Sequence, residues 1–170
     1  VLKENEKDLP FIFIRVKNTS DLSVIIEGLG KEVEKNLTGV ILPKFDSFNA
    51  SLYLSDIEEV NKKYGTNLLI MPIIESSRVM NKETRMEELM IIREMLSNIK
   101  DNVLNVRVGA TDFTSNFGIR RTVNNTVYDM RVVSDCLVDI VNIFCRETEG
   151  YVVSGPVWEF FDNKSRILKP

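Results

Sequence analysis

Leu68-Leu69-Ile70-Met71 is apolar at every position and runs directly into Pro72-Ile73-Ile74-Glu75. A strand with apolar residues on both alternating sets is covered on both faces, which is the situation of a parallel sheet packed under helices. The run ends on a carboxylate, and in parallel α/β folds the chemistry gathers where strands end. Both the fold and the candidate site are therefore sought by asking whether this unit recurs.

It recurs on either side. Phe11-Ile12-Phe13-Ile14 and Gly39-Val40-Ile41-Leu42 precede it, and Val103-Leu104-Asn105-Val106 and Tyr151-Val152-Val153 follow. The first two of these, like the Leu68 run, predict strands buried on both faces. Between the runs the period changes to that of a helix. Tyr53, Ile57, Val60 and Tyr64 predict a helix from about 49 to 64, closed by Gly65. Met86, Leu89, Ile92, Leu96 and Ile99 form a second stripe, opposite a charged face with Arg85, Glu87, Glu88 and Arg93. Met130, Val133, Leu137, Ile140 and Phe144 predict a long helix from about 125 to 147. A weaker helix follows Ser20, through Leu22, Ile25, Ile26 and Leu29, with Gly28 and Gly30 lowering its stability. Met86, Met90, Met95 and Met130 lie at helical spacing and are expected to fill the core.

Alternating strands and helices give an α/β class with a parallel sheet of about five β/α units. A chain of 170 residues is one domain's length. A closed (β/α)₈ barrel takes about 250 residues, which leaves an open doubly wound sheet or a barrel with strands outside this sequence. The sequence starts on Val1 and stops on Arg166-Ile167-Leu168-Lys169-Pro170, so both ends look like cuts.

Composition removes several functional classes. Acids outnumber bases 25 to 22 and the signs are interspersed, so nothing marks a nucleic-acid-binding face. No apolar run reaches membrane-spanning length and the start lacks a signal-peptide core, which makes a cytoplasmic protein the expectation. Cys136 and Cys145 lie too far apart along one predicted helix to bridge, and free thiols fit that compartment. His is absent, which rules out Ser-His-Asp and Cys-His arrangements and the usual zinc ligand set.

The strand ends supply the candidates. The first run ends in Arg15, the second in Pro43-Lys44, the third in Glu75, and the fourth leads to Gly109-Ala110-Thr111-Asp112. Two carboxylates, with water and substrate oxygens, make the hard-oxygen site that Mg²⁺ prefers, and Glu75 and Asp112 are its predicted ligands. Arg15 suits bidentate recognition of a substrate carboxylate. Arg15 and Lys44 are also the candidate catalytic cations at the same mouth. Gly109, with Ala110 and Thr111, lets backbone approach a bound substrate, and the following helix start at Asp112-Phe113-Thr114 offers N–H groups to an anion. Each residue also has an ordinary role: Asp112 as a helix N-cap, Glu75 answering a helix dipole, Arg15 pairing with either acid, Lys44 simply solvated. Arg107, Arg120 and Arg121 are open between a phosphate-bearing substrate and rim ion pairs. Trp158, Phe160 and Phe161 pack under a loop or wall a pocket.

Taken together, Ile14-Arg15-Val16, Leu42-Pro43-Lys44, Met71-Pro72-Ile73-Ile74-Glu75 and Gly109-Ala110-Thr111-Asp112-Phe113 with Gly118 resemble the HpcH/HpaI aldolase and citrate lyase beta subunit family over about residues 10–161. The stretches from Val106 to Phe113 and from Tyr151 to Glu159 are similar to a citrate-lyase-like branch associated with tellurium-resistance and stress genes. The resemblance implies a TIM barrel, Mg²⁺ on Glu75 and Asp112, and carbon–carbon lyase chemistry on a 2-oxo acid or acyl thioester whose carboxylate meets Arg15. It also implies a homo-oligomer. Lacking His, the sequence falls on the citrate-lyase-like side of that family rather than with the aldolases that use a histidine base. The alternative is a catalytically silent ligand-binding or interaction protein of a stress pathway.

Overall fold

The computed structural model describes residues 9–120, 122 and 125–155. Trp158, Phe160, Phe161 and Arg121, singled out above, lie outside them. Five strands form one parallel sheet: β1 (Ile12–Arg15), β2 (Leu37–Leu42), β3 (Leu69–Ile74), β4 (Val106–Val108) and β5 (Val153–Ser154). Their spatial order is β1-β2-β3-β4-β5, identical to their order in the chain, and every neighbouring pair is parallel.

That order decides between the two architectures. A doubly wound sheet reverses direction at a switch point, and no reversal occurs here. With right-handed crossovers and strands laid down in sequence, the helices all fall on one side and the other side becomes a barrel interior. The structure is an incomplete barrel-like sheet.

The connecting segments are α1 (Ser20–Leu29) and α2 (Glu32–Asn36) after β1, α3 (Ala50–Tyr64) after β2, α4 (Ser77–Met80) and α5 (Lys82–Ser97) after β3, and α6 (Ala110–Asn116) and α7 (Arg131–Phe144) after β4. The core lies between sheet and helices. Val40, Leu42, Ile70, Ile74, Val106 and Val108 enter it from the strands; Leu22, Tyr53, Leu89 and Ile140 meet them from the helices. The alternate strand residues face the barrel side, where Phe13 pairs with Gly39, Arg15 with Ile41, and Ile73 with Arg107. Gly39 is required at its place, because a Cβ there would collide with the Leu69 carbonyl and stand 2.7 Å from the Phe13 ring.

Several expectations shift. The outermost strand β1 is half-buried rather than buried on both faces, and Phe11 is exposed. The fourth strand is displaced to Val106–Val108; Val103 makes only an isolated bridge to Ile70. The long helix starts at Arg131, because Thr126 and Asp129 close a capping box around a 3₁₀ turn and Met130 leaves it in extended backbone. It ends at Phe144, with Cys145 as its C-cap.

The largest correction concerns α5. Its buried face is Arg85, Glu88, Leu89, Ile92 and Leu96, whereas Met86 and Met90 are about two-fifths exposed. Arg85 donates to Asp135 at 2.9 Å, to Asp139 at 2.8 Å and to the carbonyls of Val79 and Met80, joining α5 to α7. Two residues expected on a solvated face are thus interior polar anchors, each hydrogen-bonded as burial demands.

Candidate active site

Glu75 follows β3 directly, and its side chain is 3% exposed. Its Oε1 accepts the backbone N–H of Lys44 at 2.9 Å. Lys44 holds an unusual left-handed conformation, φ 50°, immediately beyond β2, so the turn presents its amide rather than its side chain to the carboxylate. The Lys44 side chain is exposed and is not among the groups lining the cavity described below. What this residue places on Glu75 is its N–H, with the ammonium on an exposed side chain.

Asp112 stands in the first turn of α6. The helix begins at Ala110 with Gly109 as its N-cap, so Asp112 is not the cap. The N–H groups of Asp112 and Phe113 already donate to the Gly109 carbonyl. They do not await an anion, which corrects that part of the expectation. The position instead brings Asp112 to the cavity that Glu75 lines.

The close approach of β4 to β3 depends on Gly109. Its N–H donates to the Ile74 carbonyl at 3.1 Å. A Cβ at this position would overlap Glu75 Oε2 and stand 2.7 Å from the Glu75 Cβ. The missing side chain is the space that the carboxylate occupies.

Arg15, at the end of β1, reaches Glu75 Oε1 at 3.8 Å while its side chain stays 58% exposed. This is a loose charge contact rather than a bidentate pair, and it leaves the guanidinium donors available. Arg15, Ile73, Glu75, Arg107 and the turn from Gly109 to Asp112 line one cavity of about 180 Å³. Of the predicted site residues, Arg15, Glu75, Gly109, Ala110, Thr111 and Asp112 converge; Lys44 joins through its backbone.

Burial pushes the Glu75 carboxyl above the ordinary glutamate value; the Lys44 N–H opposes this, Asp112 adds to it, and Arg15 opposes it. A cation beside the Glu75 carboxyl would oppose this rise. Among the described residues no group of three or more His, Cys, Asp or Glu is arranged around a metal, so a divalent ion here would take two carboxylates and complete its shell with water or substrate oxygen, the pattern usual for Mg²⁺. The donor set fits that ion.

One further residue supports the site and is hidden in the sequence. Glu88, fully buried on α5, accepts the Ser47 N–H at 2.6 Å, the Ser47 hydroxyl at 2.8 Å and Arg78 Nε at 2.7 Å. It thereby fixes the loop after Lys44 and the helix after Glu75 together. Cys136 is no nucleophile, since burial pushes its thiol up to about 12.

A model of the C–C bond lyases of the TIM-barrel fold matches residues 1–169. The chain belongs to this family. No curated protein and no solved structure matches it. As a C–C bond lyase of barrel fold, the chain carries its convergent polar groups where barrel enzymes carry their active sites, on the loops after the strands. No helix among the described residues is long and apolar enough to cross a membrane.

Proposed function

We propose that this protein is a Mg²⁺-dependent lyase that breaks or forms a carbon–carbon bond next to a carboxylate, on a 2-oxo acid or a carboxylate-bearing acyl thioester. The observation that carries the reading is the meeting of Glu75 and Asp112 in one cavity with Arg15 across from them. The motifs around these residues support the citrate-lyase-like branch associated with tellurium-resistance genes.

In this reading Glu75 and Asp112 hold the ion, and Lys44 N–H fixes the orientation of the Glu75 carboxylate. A bound Mg²⁺ supplies Lewis-acid polarisation of a substrate carbonyl. Arg15 receives the substrate carboxylate with its uncommitted donors and orients the bond to be cleaved. Ile73 walls the cavity with an apolar surface, and the bare backbone at Gly109 admits the substrate close to the carboxylates.

The test is calorimetric titration of Mg²⁺ into the wild type and Glu75→Ala, followed by assays with oxaloacetate and with malyl and citramalyl thioesters. Ion binding lost in the variant and Mg²⁺-dependent cleavage by the wild type are expected. Equal Mg²⁺ affinity in both proteins would overturn the ligand assignment. Binding of these acids without turnover would favour the catalytically silent protein.

A further inference from the structure

Arg107 occupies the centre of β4, between Val106 and Val108, whose side chains enter the core under the helices. Strand alternation turns Arg107 to the other face, and it lines the same cavity as Arg15, Glu75 and Asp112. It is half-buried, and among the described residues its side chain makes no hydrogen bond or ion pair. A guanidinium has five N–H donors, and shielding them from water without partners is costly. The two carboxylates nearby do not take it: Glu75 is engaged by the Lys44 amide, Arg15 and Asp112.

The neighbouring strand repeats the pattern. Ser154 on β5 is the register partner of Arg107, and cross-strand partners share a face. Its Oγ is buried with no hydrogen-bond partner. Ser154 does not itself line the cavity, so the donors that face it are those of Arg107, and an unpaired guanidinium there is a receptor for oxygen atoms that come from outside the chain.

The charges point the same way. Glu75 and Asp112 balance Arg15 and Arg107, so a divalent ion between the carboxylates leaves the site with two positive charges to neutralise. We infer that Arg107 is a substrate-binding residue for a second anionic group, so that the substrate of this site is a small dianion such as a short dicarboxylate. This rests on the reading that Glu75 and Asp112 hold the ion and Arg15 the first carboxylate. The cavity, about 180 Å³, is below the roughly 300–1,000 Å³ of pockets for drug-sized ligands, and it suits a short acid.

Malate and lactate are the probes, since both carry a 2-hydroxy acid head and only malate has a second carboxylate. Calorimetry on the full chain with saturating Mg²⁺ is expected to give at least about tenfold tighter binding of malate, the scale of one charge-assisted contact. Arg107→Met is expected to reduce that preference to within about twofold by weakening malate and not lactate; Arg107→Lys retains part of it. Arg15→Met weakens both acids. Thermal unfolding confirms that each variant is folded, and Arg107→Gln replaces Arg107→Met if that one is not. No preference in the wild type, or a preference unaltered in the folded Arg107 variants, overturns the inference. Repeating the lactate titration without Mg²⁺ reports separately on the ion: lactate binding indifferent to Mg²⁺ sinks the metal reading, while the malate-to-lactate ratio continues to report on Arg107.

Discussion

Gly109 and Glu75 compete for one volume: the carboxylate of Glu75 stands where a side chain at 109 would begin. The backbone at Gly109 has φ −99°, which other residues tolerate, so the demand for glycine is steric and not conformational. Gly109→Ala therefore acts by displacing Glu75 from Asp112. It is expected to weaken Mg²⁺ binding about 10–100-fold, as disturbing the surroundings of a metal ligand does, and to destabilise the fold by about 1–3 kcal/mol through overpacking. Titration calorimetry and urea unfolding measure both effects; wild-type ion affinity in this variant would count against the proposed ligand pair.

Glu75 is held in a state that favours function over stability. Its carboxyl is raised above the ordinary value, burial first among the causes, so the folded protein binds its proton more tightly than the unfolded chain does. By linkage, this group stabilises the fold at low pH and loses that contribution as pH rises through the folded value. At pH above the folded value and without metal, Glu75→Gln removes the buried charge while keeping an oxygen to accept the Lys44 N–H. The variant is expected to melt about 2–4 °C higher, the shift that ~1 kcal/mol gives in a domain of this size, and to lose Mg²⁺ binding. A lower melting temperature would show that the ionised carboxylate is a net stabiliser.

Glu88 ties the two loops that flank Glu75. Glu88→Ala leaves Ser47 and Arg78 without their shared acceptor. Arg78 is 32% exposed and regains water, so the loss should be about 2–3 kcal/mol, below the ~3–5 seen when both partners are buried. Because Ser47 follows Lys44 in the same loop, Mg²⁺ affinity should fall with stability, whereas Glu88→Gln, which keeps one acceptor, should preserve most of both. A Glu88→Ala protein as stable as the wild type rules out this tie.

These sites differ in how visible they are in the sequence. Arg15, Glu75 and Asp112 stand out in the sequence because each follows an apolar run, and strand ends in this fold face one opening. Glu88 and Arg85 were missed because a helix stripe assigns charged residues to water, whereas their partners are as distant in sequence as Ser47, Asp135 and Asp139. Periodicity carries no information about such pairs. The displacement of β4 has a related cause. Its centre is Arg107, a polar residue on the barrel side, so the apolar run at Val103-Leu104 looks more strand-like than the strand itself. Lys44 shows the opposite limit, since a residue type says nothing about which of its groups, ammonium or amide, the backbone will present.

The contact between α5 and α7 and the capping box before α7 both lose stability in acid. Asp135 is held below the ordinary aspartate value of 3.8, by Arg85 first and Lys82 next, and Asp129 is lowered by the N–H and hydroxyl of Thr126. A depressed folded value means that the unfolded chain binds protons more readily. Stability from these groups is therefore complete above about pH 4 and is lost as pH falls through the folded values. Lys82 is 76% exposed and contributes little, while Arg85 is 4% exposed and stays charged with or without its partner. Protonating Asp135 thus leaves the buried guanidinium with Asp139 and two carbonyls alone. Asp135→Asn should already be less stable at pH 7 and show a shallower decline between about pH 5 and 2 in urea unfolding. An acid limb as steep as that of the wild type would mean that other carboxylates govern the transition.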